Sequence, residues 1–367
     1  MKRKWKIDKP FLLVTIILMV AGFFIFTSAS LGLLARSGAS YSSVAFSQTV
    51  LGFFLGSLAM IAVTKMDYKV WKKYAFYFFT VAVILNILVL IPELGFEYGG
   101  ARRWFQFGGI SFQPSELLKL SFILYFAAWA TSMKGKMANF KQGFAPLIIL
   151  LAICAGLLLN QPDTDNLMLI VIAGLSIFLA GGGRWRYVII LIVTSGLILS
   201  FLIITRPYIK ERINTFVHPE LNSQGSGYQI QQSLIAIGSG GVFGRGFGQS
   251  IQKFNFLPEP IGDSIFAVQA EEFGFTGATA LVLLYIFFAI RGLKIAARVP
   301  DAFGRLAVVG IVIMIASQAF MNIGAMLGVI PLSGITLPFV SHGGTSLFIT
   351  LLEIGIILSI SKTQKLR

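Results

Sequence analysis

Residues 11–34 read FLLVTIILMVAGFFIFTSASLGLL, a run of 24 positions without a charged side chain. An α-helix rises about 1.5 Å per residue, so this run alone covers the roughly 30 Å of bilayer hydrocarbon. Backbone N–H and C=O groups must pair within the protein there, which makes a helix the conformation of such a segment. The run is long for a cleaved signal and lacks a small-residue cleavage site. The same ruler, moved along the chain, finds nine more stretches near 44–64, 73–92, 114–132, 144–160, 166–182, 187–205, 265–290, 304–329 and 341–361. The sequence therefore predicts an all-α polytopic membrane protein of about ten transmembrane helices, one integral domain over 1–367.

Composition agrees. Of 367 residues, 56% are hydrophobic and 12% charged, and the mean hydropathy is +0.81. A soluble domain carries about twice that charge fraction. A cytosolic enzyme, a secreted domain and a disordered chain are all excluded. Cys154 is the single cysteine and lies in an apolar run, so no internal disulfide forms.

An even number of spans puts both termini on one face. The segments on that face hold 21 of the 30 Lys and Arg residues, and the opposite loops hold eight. Short basic loops stay cytoplasmic. Both termini are expected in the cytoplasm, and the net charge of +15 reflects topology and contact with anionic membrane lipids. No basic–aromatic module lies outside the membrane, so nucleic acid is not an expected partner. The largest outer piece is the loop 206–264, where short helices lying over the bundle are expected. No internal repeat is evident, which argues against an inverted-repeat transporter.

Charges inside a span cost roughly 2.5–3.5 kcal/mol each, so they mark partners or cavities. Glu116 and Lys119 share one helix face at i,i+3 spacing, either as a self-neutralised pair or as the lining of a polar cavity. In Gln161-Pro162-Asp163-Thr164-Asp165-Asn166, a turn with Asp165 capping the next helix is expected; the alternative is an oxygen site for a divalent cation. Asp263, in Leu257-Pro258-Glu259-Pro260-Ile261-Gly262-Asp263-Ser264, stands at the membrane–water boundary. It reads as a helix cap or as a base whose pKa desolvation raises. The run 238–248 is glycine-rich but fits neither nucleotide-binding fingerprint; it is an anion nest with Arg245 or a hinge. Arg102, Arg103, Lys210, Arg212, Arg245 and Lys253 are the outer bases able to grip a diphosphate. Gly334–Ser346, with Pro338, Ser341, His342 and paired glycines, reads as a broken helix or re-entrant turn along a polar cavity. His342 has no neighbouring metal ligands in sequence.

These motifs occur in a fixed order: Gly100-Ala101-Arg102-Arg103-Trp104, Phe112-Gln113-Pro114-Ser115-Glu116-Leu117-Leu118-Lys119, Gln161-Pro162-Asp163, Gly227-Tyr228-Gln229 with Gln232-Ser233, Ala236-Ile237-Gly238-Ser239-Gly240-Gly241, Gln252-Lys253, Leu257-Pro258-Glu259, Leu337-Pro338-Phe339 and Gly343-Gly344. The order closely resembles the SEDS family (shape, elongation, division and sporulation proteins) over about residues 10–360. The resemblance implies a peptidoglycan glycosyltransferase of the cytoplasmic (inner) membrane. Such proteins polymerise lipid II into a growing glycan strand on the outer face, releasing undecaprenyl diphosphate beside a class B penicillin-binding protein. It places the family's essential acid on Asp263, its buried pair on Glu116 and Lys119, and its QPD acid on Asp163. Substrate contacts are then expected from Arg102, Arg212, Arg245, Lys253, Gln232, Ser341 and His342, with a divalent cation (Mg or Mn) as the one cofactor to consider. Two departures stand out: Ile261-Gly262-Asp263-Ser264 replaces the family's His-Thr-Asp-Phe, and Ser341-His342-Gly343-Gly344 replaces Ser-Tyr-Gly-Gly. Three motifs favour a division-type over an elongation-type member. The rival readings are a flippase for lipid-linked precursor and a scaffold without activity.

Overall fold

Each expected apolar stretch is a helix. The computed structural model describes residues 7–34, 41–98, 100–107, 110–133, 135–205, 207–218 and 225–364. The basic residues expected inside at 1–6, 134 and 365–367, and the loop residues 206 and 219–224, lie outside the described residues. The first span is α1 (Lys9–Leu34). The second runs through α2 (Tyr41–Phe46), a wide π segment (Ser47–Leu55) and α3 (Gly56–Lys65). Then come α4 (Lys69–Leu88), α5 (Pro114–Ser132), α6 (Ala145–Asn160), α7 (Thr164–Ala180) and α8 (Trp185–Thr205). The outer loop carries α9 (Pro207–Val217) and α10 (Ser226–Ser239), the short helices anticipated there. The chain ends with α11 (Ile265–Arg298), α12 (Ala302–Met326) and α13 (Gly344–Ser361).

Among the described residues eight helices are long and apolar enough to cross a bilayer, which makes this a multi-pass membrane protein. The other two expected spans are α7, a shorter apolar helix of 17 residues, and α5, whose 19 residues include two buried charges. The third span begins at Lys69, four residues before the expected 73, because the Lys side chains continue the helix into the headgroup zone.

Helix α12 packs against α5, α7, α11 and α13, and α13 lies along α3 and the π segment. These inner helices are buried on most sides; α12 buries Leu306, Val312, Met314, Ile315 and Met326 around its circumference. The outermost helix is α8, with Ile189, Leu197 and Ile204 exposed for lipid.

One element was not anticipated from spans alone. Residues 96–112 form a three-stranded antiparallel sheet, β1 (Phe96–Tyr98), β2 (Ala101–Phe107) and β3 (Ile110–Phe112). Its register sets Glu97 opposite Arg102, and the two side chains pair at 3.0 Å.

Candidate active site

The turn ahead of α11 delivers Asp263 to the end of the bundle where the outer loop lies. Asp263 is not the helix cap. That position is held by Ser264, whose Oγ accepts a hydrogen bond from Gln229 Nε2 of α10 at 2.9 Å. Three donors instead fix the turn's backbone. Asn322 Nδ2 of α12 donates to the Asp263 carbonyl at 2.8 Å and to the Ile335 carbonyl at 2.7 Å. Ser341 Oγ donates to the Gly262 carbonyl at 2.7 Å, and the His342 N–H donates to the Ile261 carbonyl at 2.7 Å. The Asp263 carboxylate itself is partly buried and accepts no hydrogen bond among the described residues.

Its electrostatic surroundings are mixed. Burial raises its pKa most, the carboxylates of Glu259 and Asp165 add to this, and Arg212 and Arg103 oppose it. The outcome is a pKa pushed up to about 7 from an ordinary 3.8. Arg212 Nη1 donates to both Asp165 oxygens at 3.0 Å, and Asp165 Oδ2 also accepts the Gly334 N–H at 3.2 Å. Gly334 is exposed and lies over the carboxylate: a Cβ added there would stand 3.6 Å from Asp263 Oδ2. Asp165, Arg212, Gly334 and Asp263 thus form one cluster.

The QPD turn is organised differently from expectation. The cap of α7 is Asp163, not Asp165: α7 starts at Thr164, so it is the residue just before it whose side chain reaches forward to the free N–H groups of the first turn. Asp163 accepts from the Asn166 N–H at 3.4 Å and from Asn166 Nδ2 at 2.9 Å, and is itself buried. Arg103 clamps the turn by donating to the carbonyls of Gln161, at 2.8 Å, and Pro162.

Glu116 and Lys119 pair at 2.9 Å, nearly fully buried. The pair does not stand alone. Lys119 Nζ also donates to Gln318 Oε1 at 3.0 Å; Gln318 Nε2 donates to the Thr336 carbonyl at 3.0 Å; Ser346 Oγ donates to Glu116 at 3.2 Å. Glu353, buried on α13, lies within electrostatic range of both charges.

Five of the expected contacts make no side-chain bond to Asp263 among the described residues. Lys253 is fully buried, with its Nζ 2.8 Å from Glu272 and also bonded to Ser28 Oγ and the Gly248 carbonyl. Arg245 pairs with buried Glu271 at 3.5 Å. The charge of each base is compensated internally, because α11 brings two adjacent acids against the loop. Arg102 is paired with Glu97 on the sheet. Gln232 sits one turn past Gln229, and it is Gln229 that reaches the Asp263 turn. His342 stacks on Phe26 at 6.1 Å, with its Nε2 buried and without a hydrogen-bond partner among the described residues; burial lowers its pKa to about 4, so the ring is neutral. Among the described residues no group of three His, Cys, Asp or Glu side chains is placed to hold a metal ion.

The family model described as "Cell cycle protein", covering FtsW, RodA and SpoVE, matches residues 9–366. The chain belongs to the FtsW/RodA/SpoVE family. Similar members include the "Probable peptidoglycan glycosyltransferase FtsW" of Geobacter metallireducens, 37% identical over 85% of this chain and 83% of that protein. "Stage V sporulation protein E" of Bacillus subtilis is 37% identical over 99% of both chains. Among solved structures, a chain from a peptidoglycan synthase complex that coordinates polymerization and crosslinking superposes with a TM-score of 0.80, 27% identity and 98% coverage of each chain. The rod shape determining protein RodA of Thermus thermophilus superposes with a TM-score of 0.70, 26% identity and the same coverage.

Within this FtsW/RodA/SpoVE frame, the two departures from the SEDS pattern touch each other. His342 donates its backbone N–H to Ile261, so both unusual segments lie on one contact beneath Asp263. The sequence also held signals left unread. Glu353 is a lone acid in the apolar run 344–361, and Gln318 and Asn322 are polar residues one turn apart in an otherwise apolar span.

Proposed function

We infer that this chain is a peptidoglycan glycosyltransferase that polymerises lipid II into glycan strands on the outer face of the cytoplasmic membrane, in cell division. The carrying observation is the partly exposed Asp263 carboxylate, with its pKa near 7, set beside Arg212 at the mouth of the site. Relatives at 37% identity bearing the FtsW name support the division assignment.

Asp263 accepts the proton of the acceptor sugar's C4 hydroxyl as that oxygen attacks the donor's anomeric carbon. The bond to the diphosphate breaks with its electron pair going to the phosphate oxygen. One displacement inverts the α-linked donor to a β-linkage. A base is most effective with a pKa near the working pH, which burial and the two neighbouring acids supply here. The diphosphate leaves as an anion and needs charge stabilisation more than a proton. Arg212, partly exposed and held by Asp165, is the cation for that task; Arg103 frames the turn beside it. Glu116 and Lys119 shape the polar floor.

The partner that crosslinks the strands is a class B penicillin-binding protein, a reading supported by the likeness to a chain from a polymerization and crosslinking complex. Both termini face the cytoplasm, and the Asp8–Arg291 pair closes that end of α1 and α11.

The test is reconstitution with labelled lipid II. Polymer must form with the purified protein and its partner, and a wild type that makes none under any partner condition overturns the assignment. The rate should rise with slope one in log units below about pH 7 and level off above it, because only the ionised carboxylate accepts the proton. Arg212→Ala should slow turnover by about 10- to 100-fold, the worth of one charge-assisted hydrogen bond to the leaving group. Arg212→Lys, lacking the planar fork, should recover part of that loss. A flat pH profile or an unaffected Arg212→Ala rate counts against these roles.

A further inference from the structure

Helices α1 and α11 run antiparallel and are tied together at two levels. At one, Asp8 receives two hydrogen bonds from Arg291, at 2.9 and 2.8 Å, and Phe11 packs on Phe288 with ring centres 5.0 Å apart. At the other, Ser28 Oγ donates to Glu272 at 2.6 Å and Lys253 joins them. Twenty residues separate Asp8 from Ser28, and nineteen separate Arg291 from Glu272. Either count corresponds to about 30 Å of helix, the thickness of bilayer hydrocarbon. The two polar knots mark the inner and outer edges of the apolar slab.

The glycine-rich segment 241–247 hangs inward from the outer knot. Helix α11 is broken at Gly274, where φ is 64° and ψ is −165°. Four backbone groups on either side of the break are taken by this segment. The Arg245 and Gly246 N–H groups donate to the carbonyls of Glu271 and Glu272 at 3.0 and 2.9 Å. The Phe275 and Thr276 N–H groups donate to the carbonyls of Gly241 and Val242 at 2.9 and 3.0 Å. The approach is so close that a Cβ on Gly274 would stand 2.3 Å from the Gly244 nitrogen. Such satisfaction is what hydrocarbon demands of irregular backbone.

Depth follows from the partners. Phe247 packs on Phe24 at 6.3 Å, and Phe24 lies four residues, about 6 Å, inward of Ser28. Thr276 lies four residues inward of Glu272. At that level Phe243 is 82% exposed, Phe275 70% and Val242 57%, in continuity with the exposed Phe24 and Val20 of α1. The segment's one charge, Arg245, is paired with buried Glu271, and Lys253 just beyond it with Glu272, which lowers the penalty that would otherwise keep this part of the chain in water.

We propose that residues 241–247 form a re-entrant wedge seated about 6 Å beneath the outer edge of the hydrocarbon, with Phe243 and Val242 against the acyl chains of the outer leaflet. This rests on the membrane fold and not on the catalytic reading. Cys154 is the only cysteine and is buried, so a Cys154→Ala background accepts single spin labels. Labels at Phe243→Cys and, independently, Val242→Cys are placed in the full chain in phosphatidylethanolamine–phosphatidylglycerol vesicles. Collision with oxygen and with a water-soluble nickel chelate is then measured, with Val20→Cys as the lipid reference and Glu93→Cys as the water reference. Both wedge labels should match Val20, with oxygen collisions several-fold above those with nickel. Nickel access equal to that at Glu93 overturns the proposal, and so does low access to both reagents, which would mean protein covers the segment.

Discussion

Asp263→Asn should abolish glycan polymerisation while leaving a folded, membrane-inserted protein. The amide is the same size as the carboxylate and cannot accept the hydroxyl proton, a loss of about 10²- to 10⁴-fold for a positioned general base. Folding should not suffer, because the turn is held by its backbone carbonyls, through Asn322, Ser341 and His342, and not by the side chain. Stability should in fact increase at neutral pH. The carboxylate's pKa is about 7 in the native protein against an ordinary 3.8, so the native state holds its proton more tightly than the unfolded chain does. Wild-type stability then falls as pH rises from about 4 to about 7, and the amide removes that loss. The expected pattern is therefore no polymer together with a melting temperature at or above that of wild type at pH 7.5. Wild-type rates from Asp263→Asn would remove the general-base mechanism; an inactive but clearly destabilised variant would point to a structural role instead.

Lys119→Met carries the second large effect, and on the opposite quantity. It leaves Glu116 buried without its cation, which costs about 3–5 kcal/mol where one partner of a buried pair is removed. It also strands Gln318 Oε1, so the loss passes to Thr336 and the segment beneath the site. A lowered melting temperature and lost activity should appear together. Glu116→Gln combined with Lys119→Met replaces the pair by neutral groups of similar size and should recover most of the stability. Activity recovered along with it would show that the pair acts as scaffold. Stability without activity would show that charge beneath the site is itself needed for turnover.

How much of this was legible in the chain divides by the range of the physics. Spans are local: an uninterrupted run such as 11–34 has one conformation available in hydrocarbon, and all ten stretches are helices. The buried pair Glu116–Lys119 was readable because i,i+3 spacing on one helix is also local. The roles of Asp163 and Asp165 were exchanged, since a two-residue difference in where α7 begins decides which acid caps it. Lys253 and Arg245 looked like substrate cations because nothing in sequence joins them to Glu272 and Glu271, 19 and 26 positions on. That pairing exists only once the loop folds onto a broken helix. The sheet at 96–112 escaped a search tuned to helical lengths.

Asn322 and Gln318 stand one turn apart on α12. Asn322 holds the carbonyl of Asp263, and Gln318 holds Lys119. The two centres therefore share a single rigid rod. Sliding α12 along its axis by even an ångström would stretch both sets of bonds at once, so the chemistry at the surface and the ion pair in the interior cannot be tuned apart.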